Sequence, residues 1–129
     1  MAATVISAAL IARLIGEAAA APDREICGLL FGTPTDIAEA RRARNVAPSP
    51  AERFEIDPTM LLSAHRAARV GGPKIVGCYH SHPSGSAIPS ERDRAAAEPG
   101  TLWLIIARGV ARLWLAGDDA FAERVLTIG

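Results

Sequence analysis

Apolar positions along this chain recur first with a helical period and then as short continuous or alternating runs, and the changes of period mark its elements. Near the start, Ile6, Leu10, Leu14 and Ala18 fall at helical spacing, with Ile11 and Ile15 alongside. Ser7 stands where an N-cap would, and Arg13 with Glu17 makes an i,i+4 pair on the outer face, which predicts an amphipathic helix ending at Pro22-Asp23. Glu25-Ile26-Cys27-Gly28-Leu29-Leu30-Phe31-Gly32 is a nearly unbroken apolar run of strand length. A turn over residues 33–36 leads into a second, more polar strand over 37–47, where Ala38, Ala40 and Arg42 alternate poorly with their neighbours. Pro48-Ser49-Pro50 reads as a loop and Phe54-Glu55-Ile56-Asp57 as a short extended segment. Pro58 suits the first turn of a helix that runs through Leu61, Leu62 and Ala68 to a stop at Gly71-Gly72-Pro73. Residues 74–82 predict a strand, 90–98 a helix, and 102–107, 110–115 and 121–128 three further strands. Helices interleaved with strands and closed by an antiparallel run predict an α/β fold, a mixed β-sheet flanked by helices. There is no internal repeat, linker or low-complexity segment, so a single domain over 1–129 is expected.

Composition narrows the function classes. Half the residues are apolar, and 14 basic residues balance 14 acidic ones. Neither nucleic acid nor a membrane surface is therefore expected as a partner. Two cysteines, Cys27 and Cys78, are too few for a disulfide scaffold and fit a reducing, cytoplasmic setting. The Ala-rich start has some of the apolarity of a signal peptide, but it lacks a basic n-region, and Arg13, Gly16 and Glu17 interrupt it. The amphipathic helix is the better reading, and no stretch is long and apolar enough to span a bilayer.

The chemistry concentrates in the run His80-Ser81-His82-Pro83-Ser84-Gly85-Ser86-Ala87-Ile88-Pro89-Ser90-Glu91-Arg92-Asp93. A strand sends alternate residues to one face, so His80 and His82 project together while Tyr79 and Ser81 point away. Pro83, Gly85 and Pro89 make the following segment turn back, which lets Asp93, one turn into the next helix, return its carboxylate to the same point. Two imidazoles and a carboxylate form a three-ligand zinc site with the fourth position left for water, whose pKa such a metal lowers to about 7. Glu25, at the start of the predicted first strand, reads by itself as a solvated acid, with proton carrier for such a site as the alternative. Other readings of the same residues stay open. A pair of histidines is more often structural or on the surface, and Ser90-Glu91-Arg92-Asp93 also matches a helix-start signature, so Ser90 and Asp93 can serve as caps. Both roles can coexist.

The whole run resembles the JAMM motif of the MPN-domain metalloproteases, His-x-His-Pro-x6-Ser-x-x-Asp, with His80, His82, Pro83, Ser90 and Asp93 in register. That family also places a glutamate just before a Cys-Gly-Leu-Leu-x-Gly strand, as Glu25 stands here. The Phe54-Glu55-Ile56-Asp57-Pro58 segment and the Gly77-Cys78-Tyr79 lead-in are similar to those of its short bacterial members. The resemblance covers nearly the entire chain. It implies the MPN architecture, which is cytidine-deaminase-like, and one catalytic zinc held by His80, His82 and Asp93. It further implies Glu25 as general acid–base and Ser90 as hydrogen-bond donor to the oxyanion. The implied activity is a peptidase or isopeptidase cutting after the C-terminal Gly-Gly of a ubiquitin-like or sulfur-carrier protein, in a pathway that includes an adenylating, E1-like enzyme.

Two rivals come from other classes: a non-catalytic MPN scaffold, against which the intact ligand set counts, and a metallohydrolase on a non-protein or nucleic-acid-related substrate. Zinc deaminase chemistry is excluded by the lack of His-x-Glu and Pro-Cys-x-x-Cys. Cys78, on the same strand face as His80, reads as a small buried hydrophobe before it reads as a spare ligand. A redox link between Cys27 and Cys78 across the sheet is disfavoured in a reducing compartment. His65 is expected to be exposed on its helix, Trp103 and Trp114 to be core, and Gly71-Gly72 to stop a helix and not to cradle phosphate.

Overall fold

A computed structural model describes residues 2–129 of the chain. The apolar stripe near the start is split between two elements. Ala3–Ile6 form a strand, β1, and only then does the helix α1 run over Ala8–Ala19. Ser7 caps it as expected, its side chain accepting from the Leu10 N–H at 3.1 Å. Ile6, the first position of the predicted helical stripe, is therefore the last residue of a strand, and the helix buries Ile11 and Leu14. Arg13 and Glu17 pair at 3.2 Å as predicted. Both also reach the sheet, Arg13 by donating to the Ala40 carbonyl at 2.7 Å and Glu17 by accepting from the Tyr79 hydroxyl at 3.3 Å.

The remaining elements follow the predicted order with shifted ends. They are β2 (Cys27–Thr33), β3 (Asp36–Ala43), α2 (Pro58–Arg69), β4 (Ile75–Ser81), α3 (Glu91–Ala96), β5 (Leu102–Ala107), β6 (Val110–Ala116) and β7 (Phe121–Ile128). β3 stops four residues short of the predicted end, and the 54–57 segment touches it only through an isolated bridge between Asn45 and Ile56. In space the strands run β1-β3-β2-β4-β5-β6-β7, and β1 pairs with both β3 and β7, so the mixed sheet closes into a barrel. The β1–β3, β1–β7 and β4–β5 pairs are parallel and the other four antiparallel.

Alternation along β2 sends its side chains to opposite faces. Leu30 joins Ile6, Leu14, Tyr79 and Leu104 in the main core under α1, whereas Leu29 and Phe31 pack with Ala64 of α2. Gly28 lies beneath the Tyr79 ring and against the Arg41 carbonyl, where any side chain would collide with both. A third cluster of Cys78, Trp103 and Ala116, with Phe54 and Phe121 against it, lies on the face toward which His80 points. Among the described residues no helix is long and apolar enough to cross a membrane.

Candidate metal centre

The β4–β5 pair fixes where the candidate residues meet. Parallel neighbours require a long crossover, and here the crossover from Pro83 to Thr101 carries the motif loop and α3 over the C-terminal end of β4. His80 lies within β4. His82 is one residue past its end, yet its N–H still donates to the Ile106 carbonyl at 2.9 Å and prolongs the pairing. The pleat turns Tyr79 into the main core and leaves both imidazoles together, with their Nε2 atoms 3.0 Å apart.

The loop after β4 is anchored at two points. The Trp114 indole N–H donates to the Ala87 carbonyl at 3.0 Å, and Ala87 is buried with Ile105 and Ala107. His82 Nδ1 lies 2.7 Å from the Ser86 carbonyl, which has no proton to give. The ring nitrogen is therefore the donor, and a neutral His82 presents a bare Nε2 lone pair to the site. Ser90 then caps α3, its Oγ accepting from the Asp93 N–H at 3.1 Å while Asp93 Oδ2 accepts from the Ser90 N–H at 2.9 Å. That same Oδ2 stands 3.2 Å from His80 Nε2 and 3.1 Å from His82 Nε2. The helix-start and site readings of Ser90 and Asp93 are thus one arrangement, in which the capping box holds the carboxylate against the imidazoles.

Three electron-rich atoms this close repel one another unless positive charge, proton or metal ion, lies among them. In a tetrahedral zinc site with bonds of roughly 2.0–2.1 Å, ligand atoms stand about 3.3–3.4 Å apart. The observed edges of 3.0, 3.1 and 3.2 Å are those of such a face, slightly contracted. The three side chains therefore fit a metal in donor type and in spacing. Glu25 with His80 and His82 forms a looser set within 4.8 Å. Asp93 closes the tighter triangle, and Glu25 stands back from it.

The charges are set by burial and contact. Burial lowers the pKa of His80, and its bond and charge interaction with Asp93 only partly oppose this. For His82, burial also acts downward, but the bonds to Asp93 and to the Ser86 carbonyl outweigh it and the pKa rises. Asp93 is held well below the usual carboxylate range. Burial acts upward on it, but the hydrogen bonds with both histidines, the His80 charge and the Ser90 N–H prevail.

Glu25, just before β2, is 5% exposed, and its Oε1 has no hydrogen-bond partner. Burial pushes its pKa up to about 7. His82 lowers it, Asp93 adds to the rise and Arg92 acts against it. A carboxyl that titrates near neutrality is suited to taking and returning a proton. Glu25, His82 and Ser90 open onto a cleft of about 260 Å³ whose rim includes Ala51, Glu52 and Ser84. The five candidate site residues, Glu25, His80, His82, Ser90 and Asp93, thus meet at one place.

Several contributors are given no role at the site by the sequence, although the segment that carries Phe54 is part of the resemblance. Ser81, the residue between the histidines, accepts from the Ile26 N–H at 2.9 Å and donates its own N–H to the Ile26 carbonyl at 3.1 Å, tying the Glu25 segment to β4. The Phe54 ring stacks on His80 with centroids 4.3 Å apart, and His80 Nδ1 has no hydrogen-bond partner. Asn45 donates to the Glu25 carbonyl at 2.9 Å. Of the weaker candidates, Cys78 packs in the Trp103 cluster, and both cysteines are free and buried. Burial raises the Cys27 thiol to about 12, with Glu25 adding and Arg42 opposing, so it is not a ready thiolate. His65 is exposed, Trp103 is buried, and Trp114 is half-buried, where it steadies the motif loop.

The model of the prokaryotic homologues of the JAB domain matches residues 7–119. The chain is 37% identical over 108 residues to a desampylase of Haloferax volcanii, covering 79% of this chain and 77% of that one. Over 49 residues it is 47% identical to a probable TtuB-protein conjugate cleaving protease of Thermus thermophilus, covering 38% of this chain and 33% of the relative. The solution structure of a Desulfitobacterium hafniense protein superposes with a TM-score of 0.83 at 28% identity, covering 98% and 92% of the two chains.

Proposed function

The chain belongs to the family of prokaryotic homologues of the JAB domain, and from that premise we propose that it is a JAMM-type, zinc-dependent peptidase or isopeptidase. The reading is carried by one observation: His80, His82 and Asp93 present three ligand atoms 3.0–3.2 Å apart beside a buried, unpartnered Glu25 that faces an open cleft. Zinc, when bound, supplies Lewis acidity and makes water acidic enough to attack near neutral pH. His80, His82 and Asp93 hold it. Glu25 accepts the proton of the attacking water and returns it to the leaving amine, general acid–base work for one buried carboxyl at the cleft. Ser90 Oγ accepts from the Asp93 N–H, so its own proton is free to donate to the carbonyl oxygen of the scissile bond as that oxygen gains charge.

The substrate is a ubiquitin-like or sulfur-carrier protein cut after its C-terminal Gly-Gly, and an adenylating enzyme of the E1 type acts on the same carrier. The names of the relatives, a desampylase and a conjugate-cleaving protease, support this class. So does the wall of the cleft, where Pro83, Ser84 and Gly85 offer little bulk, so that an extended backbone without Cβ atoms approaches closely. The test uses a ubiquitin-fold carrier ending in Gly-Gly followed by a short extension, compared with the same fusion carrying Ala-Val there. Gly-Gly is expected to be cut and Ala-Val to be cut far more slowly. Elemental analysis is expected to show about one zinc per chain, most of it lost in His82→Ala. Equal rates overturn the Gly-Gly preference, and full zinc retention in His82→Ala overturns the ligand set.

A further inference from the structure

The structure assigns to Asn45 the role of a positioning residue that holds Glu25 and the far wall of the cleft in one frame. This rests on the reading of Glu25 as the proton carrier. Asn45 lies just beyond β3 and is the foot of the loop 46–55. Its side-chain amide has two donor hydrogens and an oxygen with two lone pairs, and all four are used. Nδ2 donates to the Glu25 carbonyl at 2.9 Å and to the Arg53 carbonyl at 3.0 Å. Oδ1 accepts from the Ala47 N–H at 3.0 Å and the Glu55 N–H at 3.1 Å. Carbonyls face the nitrogen and N–H groups face the oxygen, so the orientation of the amide is determined by its partners.

The loop gathered by this amide reaches the site in three ways. The Pro50 carbonyl accepts from the Glu25 N–H at 2.7 Å, so both backbone polar groups of Glu25 are held by Asn45 and its loop. Ala51 and Glu52 line the same cleft as His82 and Glu25. Phe54 stacks on His80. Glu25 lies outside β2 and has no ladder of its own to fix its backbone. The carboxyl of Glu25 receives no hydrogen bond at Oε1, so its aim depends on where that backbone is held.

Asn45→Asp separates the functions of the amide. It retains the oxygen that accepts from Ala47 and Glu55, and it replaces the two donors with an acceptor facing the carbonyls of Glu25 and Arg53. The variant is expected to fold. Three readouts are taken on the purified full chain. Hydrogen exchange of the Glu25 amide is expected to quicken at least tenfold, while the β4 amides keep their protection. The visible spectrum of the cobalt-substituted protein is expected to match the parent, since His80, His82 and Asp93 are untouched. Turnover of the Gly-Gly fusion is expected to fall by about ten- to a hundredfold with KM changed less than threefold. Should Asn45→Asp not fold, Asn45→Ser is measured in the same way, with the same expectations. Unchanged Glu25 exchange, or unchanged turnover in a folded variant, overturns the assignment. A shifted cobalt spectrum also overturns it, by moving the effect to the ligands. If the parent itself does not cut the fusion, the functional reading fails, while the exchange measurement still decides whether Asn45 holds Glu25.

Discussion

Glu25 is 5% exposed and one of its oxygens has no partner, so the folded chain keeps its carboxyl protonated up to about pH 7. The unfolded chain releases that proton at the ordinary value of 4.5. Below that pH both states bind the proton and the group is neutral to stability. As pH rises from 4.5 to 7, the unfolded state alone loses it, and the folded state is progressively disfavoured. Glu25→Gln in metal-free protein is therefore expected to melt higher than the parent at pH 8, by roughly 1–3 kcal/mol, with the gain vanishing toward pH 4.5. Thermal unfolding across that range checks it, and a gain independent of pH contradicts it. The same variant is expected to retain zinc and lose hydrolysis. Ser90→Ala is expected to retain zinc and to lose on the order of a hundredfold in turnover, the usual loss for one oxyanion donor. Ser90 also accepts from the Asp93 N–H, so about 1 kcal/mol of stability goes with it.

The motif loop is held by an element remote from it in sequence. The Trp114 side chain on β6 donates to the Ala87 carbonyl, and the adjoining Ser86 carbonyl accepts from His82. Trp114→Phe removes the indole N–H and some ring area. It is expected to cost about 1–3 kcal/mol because the buried carbonyl loses its partner, and to weaken metal binding several-fold, read by competition with a chelating dye. Unaltered affinity would show that His82 is placed without the loop anchor. The elements themselves were partly legible. Ser7 and Pro58 announced their helices, because caps and first-turn prolines act locally. β1 was not legible. Its four residues run into the apolar stripe of α1, and a four-residue strand has too few positions to establish a period of its own.

β1 is also what makes the sheet a closed structure. It lies parallel between β3 and β7, drawing residues 3–6 against residues 125–128. Ile6 is fully buried there, paired with Ile37 and Ile128. Ile6→Ala is expected to lower stability by roughly 2–4 kcal/mol through the cavity it leaves. The zinc content of the folded fraction is expected to stay unchanged, because the closure is made by strands other than β4. A denaturant titration with metal analysis checks both, and metal loss without destabilisation contradicts the separation of barrel from site. The sequence by itself determined which residues are candidates for the site. The spacing of His80, His82, Ser90 and Asp93 follows from a strand, a turn and a capped helix, each a local rule, and Glu25 followed from the resemblance. Only the tertiary structure decided that the sheet closes, that Asn45 and Pro50 hold Glu25, and that Phe54 and Trp114 steady the imidazole and the loop. Those contacts join residues 20 to 122 positions apart in the chain, from Asn45 with Glu25 to Ala3 with Val125. A hydrogen bond or ring contact between distant segments leaves no period and no local signature. It exists only once the barrel has brought its partners together.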